Sequence, residues 1–150
     1  MCQRSRDSLE DFTVRNATNL TNSCFSENLG ILKRLIRLDL SYSKQVDDTV
    51  IKTIAVELRN LKKLCLRFLS LITHESVNYI MDNLKLLEGL DLSGCFGINL
   101  ELPMIKLRDN QKLSCLLLEY LFVLPSHLYY LKCTKIHTLS LFCKSYILKL

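Results

Sequence analysis

The motif Leu-x-x-Leu-x-Leu occurs four times in a single register. It appears at Leu35-Leu38-Leu40, Leu61-Leu64-Leu66, Leu87-Leu90-Leu92 and Leu113-Leu116-Leu118, so the starts 35, 61, 87 and 113 are each 26 residues apart. One period back, Leu9-Phe12-Val14 has the same pattern with apolar substitutes. Forward, Ile136-Leu139-Leu141 repeats it after a shortened interval of 23 residues. A fixed period of this size marks a repeat architecture in which each unit is one supersecondary element.

The second half of each unit obeys the same period. Val46, Ile51, Ile54, Ala55 and Leu58 are apolar, and one period later so are Ile72, Val77, Ile80, Met81 and Leu84. One period earlier the set is Leu20, Phe25, Asn28, Leu29 and Leu32, with one polar exception. Ile51, Ile54, Ala55 and Leu58 have the spacing of one helix face. Asp47 with Asp48, and then Thr73, stand where helix caps belong. Each unit therefore reads as a short strand, a turn and a helix. Such a unit cannot bury its apolar face alone, so neighbours stack.

The expected fold class is α/β: a leucine-rich-repeat solenoid, a curved right-handed β–α superhelix with a parallel concave sheet and convex helices. The chain has 33 Leu against ten Ile and six Val, a bias that disfavours sheets built on Val and Ile. A helical bundle would share that bias, but not the two-residue spacing that ends each Leu triplet. The expected organisation is an N-terminal extension over 1–8, repeats over 9–141 (units starting near 9, 35, 61, 87, 113 and 136) and a C-terminal tail over 142–150. Repeat stacks need polar capping units. The end Ser-Tyr-Ile-Leu-Lys-Leu is not one, so the sequence is expected to be cut from a longer array, with an apolar open end near Leu139 to Leu150.

Several functional classes are excluded by the same reading. No apolar run reaches spanning length; the longest, Leu113 to Leu124, is interrupted by Ser114, Cys115 and Glu119. The start Met-Cys-Gln-Arg-Ser-Arg-Asp has no apolar stretch behind its basic residues, so no secretory signal is expected. The seven cysteines form no CxxC pair and show no zinc spacing with His74, His127 or His137, which leaves no metal site and no cofactor. Reduced thiols in the cytoplasm or nucleus are the expectation. The net charge of +5 arises mostly from Lys132, Lys135, Lys144 and Lys149, with no acid after Glu119. Spaced lysines do not make a phosphate-tracking surface, so neither nucleic acid nor membrane is an expected partner. The three histidines lie in different units, and Ser93-Gly94-Cys95-Phe96-Gly97 lacks the lysine of a phosphate loop. No catalytic residue is assigned, and the chain is not expected to be an enzyme.

Binding remains, and the solenoid predicts where. Residues between the strand leucines project from the concave sheet in rows. One row reads Asp11, Arg37, Lys63, Gly89, Cys115 and Thr138; the central row reads Thr13, Asp39, Cys65, Asp91, Leu117 and Ser140; the third reads Arg15, Ser41, Arg67, Ser93, Glu119 and Phe142. The candidate partner-binding residues are Arg37, Asp39, Lys63, Cys65, Arg67, Asp91, Cys115, Leu117 and Glu119. Basic side chains beside acids, with apolar neighbours toward the C-terminal side, suit a protein target. Cys65 and Cys115 are expected to face outward and to be the thiols most open to alkylation.

The unit resembles the cysteine-containing leucine-rich repeat, L-x-x-L-x-L-x-x-C-x-x-I-T-D-x-x-L-x-x-L-A-x-x-C-x-x-L. Ser43 stands at its first cysteine position, Val46-Asp47-Asp48 at I-T-D and Ile54-Ala55 at L-A; Leu69 with Ile72-Thr73-His74 follows in the next unit, then Cys95, and Cys133 at the second cysteine position of the short unit. Pro103, Lys106 and Asn110 replace apolar positions, so an irregular or displaced helix is expected there. The resemblance implies the F-box/LRR family or its F-box-less relatives of the antagonist-of-mitotic-exit type. It implies substrate recognition for a Skp–cullin–F-box ubiquitin ligase, with Skp and cullin as partners only if an F-box lies outside this chain. Leu-Pro pairs occur here only at 102–103 and 124–125, inside repeats. The alternative is an interaction scaffold unconnected to ubiquitin, such as an assembly or regulatory factor.

Overall fold

Leucines with the strand register pair across the whole sheet. In the computed structural model, which describes residues 8–131 and 135–141, the strands are β1 (Asp11–Thr13), β2 (Arg37–Asp39), β3 (Lys63–Cys65), β4 (Gly89–Asp91), β5 (Cys115–Leu117) and β6 (Thr138–Ser140). They form one parallel sheet in chain order. Phe12, Leu38, Leu64, Leu90, Leu116 and Leu139 stand side by side across it. Parallel neighbours need a crossover, and five helices supply it: α1 (Asn22–Leu29), α2 (Asp48–Glu57), α3 (His74–Asn83), α4 (Met104–Asp109) and α5 (Pro125–Leu131). The result is a leucine-rich-repeat solenoid with a concave sheet and convex helices.

The core fills the space between these layers. Leu35, Leu40, Ile51, Ile54, Leu58, Leu61, Leu66, Ile72, Ile80 and Leu84 have no exposed surface. Helix starts are held as their sequences require. The Asp47 carboxylate accepts from the N–H groups of Thr49 (2.9 Å) and Val50 (3.3 Å), and the Thr73 hydroxyl accepts from the N–H of Glu75 at 3.2 Å. Asp48, just inside α2, also clamps the next unit: it accepts from the Thr73 N–H (2.9 Å), the Thr73 hydroxyl (2.8 Å) and the Ser76 hydroxyl.

Where the repeat departs from its pattern, the helix shortens. α4 has six residues and begins after Pro103 with no side-chain cap. Met104 and Leu107 still face the core, whereas Lys106 turns outward to Asp82 at 2.6 Å. Asn110 ends the helix by accepting from the N–H groups of Lys112 and Leu113, both at 2.9 Å.

A second period runs along the turns after the strands. Asn16, Tyr42, Phe68, Gly94 and Tyr120, one in each successive unit, all have positive φ. Their N–H groups reach the next unit: Asn16 to the carbonyl of Ser41 (3.0 Å), Tyr42 to Arg67 (2.8 Å), Phe68 to Ser93 (2.8 Å) and Gly94 to Glu119 (2.8 Å). Parallel pairing thus continues past the strands, and left-handed backbone keeps the turn open.

Candidate functional site

The strands β2 to β5 turn Leu38, Leu64, Leu90 and Leu116 inward and leave two outward rows, with a third row from the turns behind them. The register aligns Arg37, Lys63, Gly89 and Cys115 in the first row and Asp39, Cys65, Asp91 and Leu117 in the second. Arg67 and Glu119 belong to the third. The nine candidate residues therefore share one face.

Their charges are largely matched against each other. Arg15 donates from Nε to Asp39 at 2.7 Å, and Arg37 pairs with Asp11. Arg67 bridges two units, with one terminal nitrogen 3.3 Å from Asp91 and the other 3.3 Å from Glu119. Glu119 in turn accepts from the Ser140 hydroxyl at 2.7 Å. A device therefore occurs twice, two units apart. Arg15 holds Asp39, whose other oxygen accepts from the Ser41 N–H at 2.9 Å; Arg67 holds Asp91, whose other oxygen accepts from the Ser93 N–H at 3.0 Å.

This device corrects part of the sequence reading. Asp39 and Asp91 do not project as free anchors: they are only 8% and 5% exposed, because their carboxylates fold back to tie the turn to a neighbouring arginine. Ser41 and Ser93 are buried as well. Burial by itself pushes the Asp39 carboxyl up, but hydrogen bonding from Ser41 and Arg15 outweighs it and holds that group below the usual carboxylate range.

The thiols need correction too. Cys65 is half-buried rather than open, and burial, with Asp39 and Asp91 beside it, pushes the thiol up to about 11. Cys115 is also half-buried. Cys95 is fully buried and donates to the Leu66 carbonyl one unit back. At the equivalent position Ser43 donates to the Val14 carbonyl and accepts from the Ala17 N–H, each at 3.2 Å. Phe142 and Cys133 lie outside the described residues, as does most of the expected apolar end; Leu139 and Leu141 are half-buried.

The rim beside this face carries a feature that motif reading missed. Tyr42 stacks on Phe68 with ring centres 5.1 Å apart and planes at 13°, and Phe68 meets Tyr120 at 5.6 Å. The signal was present: Asn16 and Gly94, two residue types tolerant of left-handed backbone, share the aromatic register. Such conformations cost bulky residues about 1–3 kcal/mol each, and the stacking offsets part of that.

The histidines stay apart. His74 opens α3 beside Glu75, His127 is buried with Nδ1 accepting from the Leu124 N–H at 3.1 Å, and His137 is exposed near β6. Among the described residues no His, Cys, Asp and Glu side chains gather into a group able to hold a metal ion, and no helix is long and apolar enough to cross a membrane.

No family model matches the sequence, and no curated protein matches it. Among solved structures, the tropomodulin C-terminal domain of Caenorhabditis elegans is similar with a TM-score of 0.67 at 9% identity, over 84% of this chain and 81% of that one. The actin-binding site 2 of leiomodin-1 is similar with a TM-score of 0.50 at 17% identity, over 92% of this chain and 73% of that one. At these identities the likeness is one of fold. It corrects the resemblance to F-box cysteine-containing repeats, since the structural neighbours are tropomodulin and leiomodin domains. The packing shows what misled: the first-cysteine position is filled by Ser43, Leu69, Cys95 and Leu121 in turn, so any side chain fitting the inter-unit gap serves there.

Proposed function

We propose that this chain is a non-enzymatic interaction scaffold, unconnected to ubiquitin, that docks a protein on its concave face. The supporting observation is Arg67. It is held at both terminal nitrogens by Asp91 and Glu119, yet its side chain keeps 31% of its surface exposed. A guanidinium ordered in advance loses little side-chain freedom when a partner arrives, and arginine is a frequent interface anchor. On the same face, Leu117 and Cys115 stay half-exposed, whereas the inward strand leucines Leu38, Leu64, Leu90 and Leu116 are buried.

The leiomodin-1 domain of similar fold is an actin-binding site, so actin is the first purified partner to test on this chain. The reading takes the cytoplasm or nucleus as the place of action, in keeping with free thiols at Cys24, Cys65, Cys95 and Cys115. It also treats the units starting near 9, 35, 61, 87, 113 and 136 as one binding module.

A photo-crosslinking side chain placed at Leu117, and in a separate variant at Lys52 on the convex α2, tests the proposal. Discrete protein adducts are expected from position 117 and not from position 52. Equal adducts from both faces, or none from position 117, would contradict it.

A further inference from the structure

A depression opens on the concave face around a residue that lacks a side chain. Gly89 lies in the first row between Lys63 and Cys115. Around it opens a hollow of about 370 Å³, walled by Lys63, Cys65, Cys115 and Leu117, with the acids Glu88 and Asp91 also in its lining. Ligand pockets run from roughly 300 to 1,000 Å³, so this one suits a single side chain with its flanking backbone.

The glycine is not required by its own backbone or by crowding. A Cβ built on it would sit 3.6 Å from Lys63 Cγ and 3.9 Å from Cys115 Cβ, both ordinary contacts, and its φ lies outside the left-handed region. Glycine weakens a strand interior and often marks the close approach of a ligand or another backbone. The walls define what enters. Leu117 and the two thiols are apolar, and the Cys65 thiol is neutral at physiological pH, pushed up to about 11.

Charge decides the rest. Asp91 is taken by Arg67 and the Ser93 N–H, and Glu88 on the rim lies 3.7 Å from Lys62. Arg15, Arg37 and Arg67 each have a carboxylate. Lys63 is exposed, and among the described residues no ion pair engages it. We infer that the hollow at Gly89 receives an aliphatic side chain of an acidic protein segment, whose neighbouring carboxylate meets the Lys63 ammonium. The inference rests on the interaction-scaffold reading and names the partner's chemistry at one point of the face.

The test titrates the full ¹⁵N-labelled chain with three capped dipeptides: acetyl-Leu-Glu-amide, acetyl-Leu-Lys-amide and acetyl-Gly-Glu-amide. Leu-Glu is expected to shift the amide signals of Lys63, Gly89 and Cys115 with at least fivefold tighter binding than either of the others. Gly89→Leu fills the hollow and is expected to weaken the response at least tenfold, with Gly89→Ala in between. Lys63→Glu is expected to reverse the preference between Leu-Glu and Leu-Lys. Indifference among the three peptides, no localised shifts, or an unchanged response in a folded Gly89→Leu chain would overturn the inference. Photo-adducts at position 117 that persist in Gly89→Leu would sink the hollow alone, whereas their absence from the wild-type background sinks the scaffold reading.

Discussion

The Phe68 ring lies across Gly94, one unit further on, so closely that a Cβ there would sit 2.4 Å from the ring's Cδ1. Gly94 also has φ of 71°. Two independent constraints therefore act on one residue. Gly94→Ala must displace the ring from the Tyr42–Phe68–Tyr120 stack and adopt a left-handed backbone, which together cost about 2–3 kcal/mol. Urea unfolding is expected to show a lowered midpoint with an unchanged slope. A loss below about 0.5 kcal/mol would mean the turn tolerates a side chain there.

Asp48 clamps α2 to α3 through Thr73 and Ser76. Asp48→Ala leaves those donors unpaired and is expected to cost about 1–3 kcal/mol. Burial raises the Asp48 carboxyl, but bonds from Ser76 and Thr73 outweigh it, so the folded value lies below the ordinary 3.8. A depressed carboxyl stabilises the fold above its unfolded value, and that contribution is lost as pH falls from about 3.8 through the folded value. Wild type is therefore expected to lose more stability between pH 7 and acid than Asp48→Ala does, by urea midpoints at each pH. Parallel losses would contradict this role.

Leu64 and Leu139 hold equivalent strand positions, but Leu64 is 1% exposed between two neighbours whereas Leu139 is half-buried on β6. Leu64→Ala is expected to cost about 3–5 kcal/mol, and Leu139→Ala less than half as much. Chemical denaturation of both variants checks it. Equal costs would show that the last described strand is packed as tightly as the centre.

Thiol chemistry gives an independent reading of the face. At equal access, a thiol pushed from 9.0 to about 11 holds roughly a hundredfold less thiolate at pH 8. Only the thiolate attacks, so it reacts more slowly, by about tenfold once the greater nucleophilicity of the more basic thiolate is counted. Timed alkylation followed by peptide mass spectrometry is expected to label Cys24 and Cys115 before Cys65, and Cys95 only after unfolding. Early labelling of Cys65 would place it on the open surface that the strand alternation suggested.

Strand positions, helix faces and the caps Asp47 and Thr73 were legible in the sequence because period and capping chemistry are local. The outward rows were legible as a set, because alternation fixes which way Arg37 or Lys63 points. What became of Asp39 and Asp91 was not. Their burial depends on an arginine one unit away and a turn N–H two residues on, a geometry that alternation does not encode. The family was misread for a related reason: a small residue at position 43 or 95 answers to the inter-unit gap, which other repeat families share. The hollow at Gly89 was invisible because a glycine in a strand row reads first as an interruption, and only the neighbouring walls show that it leaves a space.

The most direct test of a concave docking face is the affinity of a partner captured at position 117, measured by calorimetry against three chains. Lys63→Glu/Leu117→Ala on the concave side is expected to weaken binding at least tenfold with the melting temperature kept, and Lys52→Glu on the convex side to stay within twofold of wild type. Equal effects from the two faces, or undiminished affinity of the concave variant, would contradict the account.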